Sequence, residues 1–299
     1  MSAPTSDRDA QFTVDAFAAE GAEPDPPRAA APQPPRSRSA ALFVALALLA
    51  GAAGYYFWPR APTTPPAAPS PPVSSASPAG QAEPGVQHPI DQLPGAAEAQ
   101  AQLPGLDDSD AVARNSIAAI LGGDWMRLVV PEGIVRNIVA TVDNLPRATV
   151  APRVLPVRPV PGAFEVASLP NGMSIAPGNA KRYAGYVDAA ESIDTGRLVG
   201  FYVRLYPLFQ QAYVELGYPN GYFNDRLVAV IDHLLAAPEP GGPVLLLQPK
   251  VFYQYADPGL EERSAGQKIM MRIGRDNELR LKAKLREIRK ALVAEAPKQ

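Results

Sequence analysis

The sequence predicts a mainly α fold class: a single-pass membrane helix, a disordered proline-rich tether, and a compact, mostly helical outer domain with minor β. Three observations carry that prediction. An uncharged apolar run occupies residues 40–58, and more than half of the 35 prolines crowd between Pro24 and Pro104 around it. Beyond residue 105, apolar side chains recur at helical spacing.

The run AALFVALALLAGAAGYYFW, Ala40 to Trp58, holds no charged side chain. As a helix it spans roughly 28 Å, close to the hydrocarbon thickness of a bilayer. Arg28, Arg36 and Arg38 precede it, Tyr55, Tyr56 and Trp58 form an aromatic belt at its far end, and only Arg60 follows before Glu83. This arginine excess places residues 1–39 in the cytoplasm and the rest outside. Cleavage as a signal peptide at Ala50-Gly51-Ala52 is the rival reading. Against it stand a long leader and an apolar run that continues past that site. Ala47 with Gly51 and Ala50 with Gly54 have the small-xxx-small spacing that pairs helices, which would permit a homodimer through the membrane helix. Alanine-rich segments also produce that spacing by chance.

Cysteine is absent, which excludes disulfides, thiol nucleophiles and cysteine metal sites together. No N-x-S/T sequon occurs either. A short tail, an anchor, a proline-rich stem and an outer domain also describe a eukaryotic Golgi glycosyltransferase. The missing cysteines and sequons favour a bacterial inner-membrane protein with a periplasmic C-terminal domain.

Residues 1–39 read as a disordered cytoplasmic tail, 59–104 as a disordered linker, 105–293 as the folded domain and 294–299 as a tail. The linker carries PTTPPAAPSPP and two copies of QLPG, at 92–95 and 102–105. It would reach about 140 Å as polyproline and nearer 40 Å as a coil. Within the domain, DSDAVARNSIAAIL predicts a helix capped by Ser109, and PEGIVRNIVATVDNL one beginning at Pro131. Residues 149–166 are extended, and Pro170-Asn171-Gly172 marks a turn. Residues 178–192 are helical. Asp194 caps a long helix whose Leu198, Phe201, Leu205, Leu208, Ala212 and Leu216 share a face, with a kink expected at Pro207. VLLL and VFYQY within 242–255 are the strand candidates, and a last helix covers 276–293.

Charge is segregated. Residues 105–262 carry 12 Lys/Arg against 17 Asp/Glu, while 263–290 carry ten against three. The last helix sets Lys282, Lys284, Arg286, Arg289 and Lys290 around Leu281, Leu285, Ile288 and Leu292. This pattern suits an anionic partner, or an amphipathic helix docked on an acidic domain with a solvated basic face. The second reading is preferred, and a domain held outside the cytoplasm implies no nucleic-acid partner.

The stretch YFNDRLVAVIDHLL, Tyr222 to Leu235, gathers the candidate site residues Tyr222, Asn224, Asp225, Arg226, Asp232 and His233. As acid/base groups, Asp225, Asp232 and His233 with Tyr222 would line a cleft. Structurally, Leu227, Val230, Ile231, Leu234 and Leu235 form a core stripe, Asn224 is the N-cap, Asp225 faces the positive helix end, and Asp232 and His233 lie on the outer side. A lone histidine lacks the further ligands zinc needs. No nucleophile-elbow, zincin, dinucleotide or P-loop motif occurs, so no catalytic residue, cofactor or metal is assigned. Asp108-Ser109-Asp110 matches the short D-x-D of some glycosyltransferases, at a natural capping position. The structural reading is preferred for both clusters.

LDDSD (106–110), VDNLPR (142–147), RYAGYV (182–187), LYPLFQQAYVELGYPNGYFNDRLVAVIDHLL (205–235), ADPGLEERSAGQK (256–268) and the lysine-rich last helix resemble, in order, a bacterial family of unknown function, number 3014 among such domains. The resemblance covers nearly all of 105–292. It implies a membrane helix, a proline-rich spacer and this domain, with no established activity. The expected function is therefore a non-enzymatic envelope module that binds another envelope protein or a cell-wall component. The basic last helix and the turn from Tyr218 to Arg226 are its best surfaces. The alternative is a periplasmic hydrolase or transferase acting on cell-wall glycan through Asp/Glu chemistry, which requires a deep cleft with carboxylates converging from separate segments.

Overall fold

The computed structural model describes residues 85–93 and 103–293. The tails 1–39 and 294–299, the apolar run 40–58 and the rest of the linker lie outside the described residues, and with them the expected membrane helix. No helix among the described residues is long and apolar enough to cross a membrane.

The domain is mostly helical with a small sheet. Its main helices are α1 (Asp110–Leu121), α2 (Ile134–Asn144), α3 (Gly178–Glu191), α4 (Thr195–Glu215), α5 (Phe223–Leu235), α6 (Ala265–Arg272) and α7 (Arg275–Leu292). Asp194 caps α4 as predicted, accepting the Arg197 N–H at 2.8 Å. Ser109 does not cap α1, because its hydroxyl donates back to the Leu106 carbonyl at 2.7 Å. Asp110 reaches across to the next helix and accepts the N–H groups of Gly133 and Ile134, each at 2.8 Å. That helix starts at Ile134 rather than Pro131, since Gly133 takes the left-handed conformation (φ +62°) that breaks a helical run. The D-x-D at 108–110 is therefore architectural at Asp110.

The core follows the predicted stripes. On α4, Leu198, Phe201, Leu205, Leu208 and Ala212 are buried. Leu216 is exposed instead, at the point where Gly217 (φ +115°) turns the chain away. On α5, Leu227, Val230, Ile231 and Leu234 are fully buried. Tyr202, Phe209, Tyr213 and Phe223 knit α4 to α5, with the Phe209 and Phe223 rings stacked 6.0 Å apart. Each such side chain contributes about 1.5–3 kcal/mol through area removed from water.

Four short antiparallel strands, β1 (Val166–Leu169), β2 (Gly172–Ile175), β3 (Leu245–Leu247) and β4 (Gln254–Tyr255), lie in that order. The predicted turn forms the hairpin between β1 and β2, with Pro170-Asn171 as its loop and Gly172, the first residue of β2, paired with Leu169. VLLL and VFYQY supply β3 and β4. Met271 of α6 packs on the sheet with Leu246 and Tyr255.

Helix α7 packs against α3, α4, α5 and α6. Its apolar stripe is buried as expected, but the solvated basic face is not what forms at two of its lysines. Lys282 and Lys284 are buried, and their ammonium groups are satisfied inside the fold. Lys282 Nζ donates to the Ala237 carbonyl and to Glu239, both at 2.6 Å, and Lys284 Nζ to the Ile193 carbonyl and Glu287. Long aliphatic stems let these residues cover apolar surface while their heads find partners.

Candidate functional site

Helix α5 begins at Phe223, one residue before the expected cap. Tyr222 takes the extended N-cap conformation without donating or accepting a capping bond through its side chain. The orphan N–H of Phe223 is met from another helix: Gln210 of α4 accepts it at 2.9 Å and donates to the Gly221 carbonyl at 2.7 Å. The hydroxyl of Tyr206 donates to the same Gln210 oxygen at 2.9 Å. Gln210 is a positioning residue that periodicity could not reveal, since a glutamine on a long helix looks like any surface residue. Close packing fixes the turn before it. A Cβ at Gly221 would stand 2.7 Å from the Tyr213 ring, which stacks on Tyr218 with centroids 4.6 Å apart.

This frame presents Tyr222, Asn224 and Asp225 to one segment, Gly85–Leu93, which bends at Gln87 and His88. Asp225 accepts the N–H of Gln87 at 3.0 Å and of His88 at 2.7 Å, one to each carboxylate oxygen. Asn224 donates to the His88 carbonyl at 2.9 Å, and the Tyr222 hydroxyl accepts the Ile90 N–H at 2.7 Å. Four main-chain groups of one strap are thus held by three neighbouring side chains. Composition places this strap in the disordered linker. The structure corrects that assignment: Ile90–Gln92 forms a 3-10 turn and Leu93 is only 4 % exposed, within the domain core.

Asn224 is also not the N-cap. It is fully buried one residue inside the helix, and its Oδ1 accepts from the Tyr202 hydroxyl at 3.1 Å. Burial pushes the phenols of Tyr202 and Tyr206 well up, so both remain neutral donors at any physiological pH.

The other three candidates turn elsewhere. Arg226 donates to Asp143 Oδ1 at 3.1 Å and to the Asp143 carbonyl at 2.8 Å. Asp143, 1 % exposed, also pairs with Arg147 and accepts from the Tyr218 hydroxyl at 3.2 Å. Asp232 pairs with Arg289 of α7 on the exposed side. His233 is half-buried, with Nε2 2.7 Å from the hydroxyl of Ser264, the residue that caps α6. The six residues therefore divide among a strap clamp, a buried ion-pair hub and two interhelical contacts.

A cavity of about 640 Å³ lies between α3, the start of α7 and the approach to β3. Its charged lining is Lys181, Arg272, Arg275, Asp276, Glu278 and Arg280. Both carboxylates come from one helix, and Glu278 is buried against Lys282. Among the described residues no group of three His, Cys, Asp or Glu side chains could hold a metal ion.

A mostly helical domain with a small sheet and a clamped strap is the class this architecture defines. The chain belongs to the family described as "Protein of unknown function (DUF3014)", whose profile matches residues 134–289. That match runs from the first residue of α2 into the last turns of α7. It includes all six candidate residues, and it is shorter at the N-terminal end than the resemblance that begins at LDDSD. No curated protein and no solved structure matches the chain.

Proposed function

We propose that this is a bacterial inner-membrane protein anchored through residues 40–58, with a periplasmic domain that is a non-enzymatic binding module for an envelope protein or cell-wall component. One observation carries the reading. Of the acid/base candidates, Tyr222 and Asp225 converge with Asn224 on peptide groups, while Asp232 and His233 turn to Arg289 and Ser264, so the four do not face one another. A clamp built for main-chain atoms binds chain segments, whereas a glycan hydrolase needs carboxylates facing each other across a void. The apolar run with its arginine flank and aromatic belt supports the anchor and its orientation.

Alkaline-phosphatase and fluorescent-protein fusions after Gly105 test the location. Phosphatase activity with a dark fluorescent fusion is expected, and the reverse would overturn the topology. Crosslinking and pull-down from membranes tests the binding role. Recovery of discrete envelope partners is expected. Loss of the deletion phenotype's rescue in a stably folded Asp232→Ala, His233→Ala variant would favour the enzyme reading instead.

A further inference from the structure

We infer that the groove at the start of α5 is a binding site for a bent peptide that ends in a 3-10 turn, filled in cis by residues 85–93 and in trans by a partner protein's segment of the pattern Pro-apolar-x-x-apolar. The inference rests on the binding-module reading above and adds the ligand's chemistry. The clamp's four hydrogen bonds all go to main-chain atoms of Gln87, His88 and Ile90, so they read no side chain. A segment that bends at the first two positions, so that their successive N–H groups face one carboxylate, and turns at the third can supply them. Selectivity comes from Pro89, Ile90 and Leu93. Pro89 holds the extended backbone (φ −65°, ψ +131°) that enters the 3-10 turn, and that turn brings Ile90 and Leu93 onto the core. Asp91 and Gln92 between them face solvent.

The strap is built to be exchangeable. Five of its nine residues are exposed, Val86 at 53 %, and Leu93 is its one fully buried side chain. Segments with so little buried apolar area open at low free energy. Nine residues, 94–102, join it to Leu103, and a connection of that length reaches about 30 Å when extended. The strap can therefore leave the clamp while remaining attached. Covalent attachment gives it a high effective concentration, so a free peptide must compete against it.

Fluorescence anisotropy with a labelled peptide of residues 83–95, EPGVQHPIDQLPG, tests this on the full chain in mild detergent. The double variant Ile90→Asp, Leu93→Asp empties the groove, and it should bind the peptide at least about ten-fold more tightly than wild type, because cis occupancy no longer lowers the apparent affinity. Where that variant melts early, His88→Pro replaces it, deleting one strap N–H and leaving both apolar anchors. A peptide N-methylated at the residues equivalent to Gln87 and His88 keeps every side chain but loses both donors to Asp225, and should bind at least about ten-fold more weakly. Equal binding of the methylated and unmodified peptides, or equal binding by the emptied and wild-type grooves, would overturn the proposal. Because the assay needs neither the anchor nor its orientation, such a failure is distinct from failure of the topology.

Discussion

Asp225 Oδ1 receives the His88 N–H at 2.7 Å, a contact across 137 residues that ties the strap to the start of α5. The folded unit therefore begins upstream of residue 103. A chain starting at Gly85 should be more stable than one starting at Leu103 by about 2–4 kcal/mol, from the burial of Leu93 and part of Ile90 together with the clamp's hydrogen bonds. Urea unfolding of the two would show this as a higher midpoint for the longer chain. Coincident midpoints would mean that the strap adds nothing to the fold.

The internal position of Asn224 changes the expected order of side-chain effects on α5. A lost N-cap costs about 1 kcal/mol. Asn224 instead serves a buried tyrosine and a strap carbonyl, so Asn224→Ala should cost about 1–3 kcal/mol. Ile231→Ala empties a fully buried site and should cost about 2–5 kcal/mol. Asp232→Ala breaks an exposed pair with Arg289 and should stay within about 0.5 kcal/mol. Thermal melts of the three variants give the ranking, and an Asn224→Ala variant as stable as Asp232→Ala would contradict the buried role.

Residue spacing makes the helices legible and leaves the clamp hidden. The stripes on α4 and α5 are local, so Leu198 through Ala212 and Leu227 through Leu234 can be read from periodicity. The boundaries move where the deciding partner is remote: Asp110 caps another helix, and Gln210 serves the N–H of Phe223 from a different helix. The hairpin is visible only as its turn, because VASL and GMSI are four-residue, half-buried strands with weak alternation. The strap escapes notice because a proline-rich composition gives no sign that GVQHPIDQL differs from the tether before it. Lys282 and Lys284 mislead for a related reason: a charged residue reads as exposed until its partners on other segments are known.

His233 makes stability depend on pH. Burial, and then the charge of Arg226, hold its pKa below the ordinary histidine value. Ser264 accepts the Gln267 N–H at 3.2 Å, which leaves its own proton free to donate to a neutral His233 Nε2. The unfolded imidazole titrates near 6.5, so the unfolded chain binds the proton more tightly than the folded one. Stability from this group is full above that pH and declines as pH falls from there towards the lower folded value. His233→Gln keeps an acceptor for Ser264 and does not titrate. Its melting temperature should therefore fall less than wild type's between about pH 7.5 and about pH 5.5. Parallel pH profiles for the two proteins would remove His233 as the cause.

The Lys282–Glu278 pair supplies the largest single-charge prediction. Both side chains are 1 % exposed, with Nζ 3.1 Å from Oε1. Glu278 receives no hydrogen bond from any described residue, and burial raises its pKa above the usual carboxylate value despite the lysine. Lys282 is better provided for, keeping Glu239 and the Ala237 carbonyl. The two truncations should therefore be unequal. Lys282→Met strands a carboxylate inside the domain and should cost about 3–5 kcal/mol at neutral pH. Glu278→Gln removes the penalised charge and leaves Lys282 its other partners, so it should stay within about 1 kcal/mol of wild type. Combining Lys282→Met with Glu278→Leu should recover part of the first loss, since no charge is then left unpaired. A raised folded pKa makes Glu278 stabilising where it is protonated, with that stability lost as pH rises through the folded value, so the Lys282→Met deficit should shrink on acidification. Denaturant titrations of the three variants at neutral and mildly acidic pH decide it. Equal losses for Lys282→Met and Glu278→Gln, unchanged by pH, would show that packing rather than charge governs the pair.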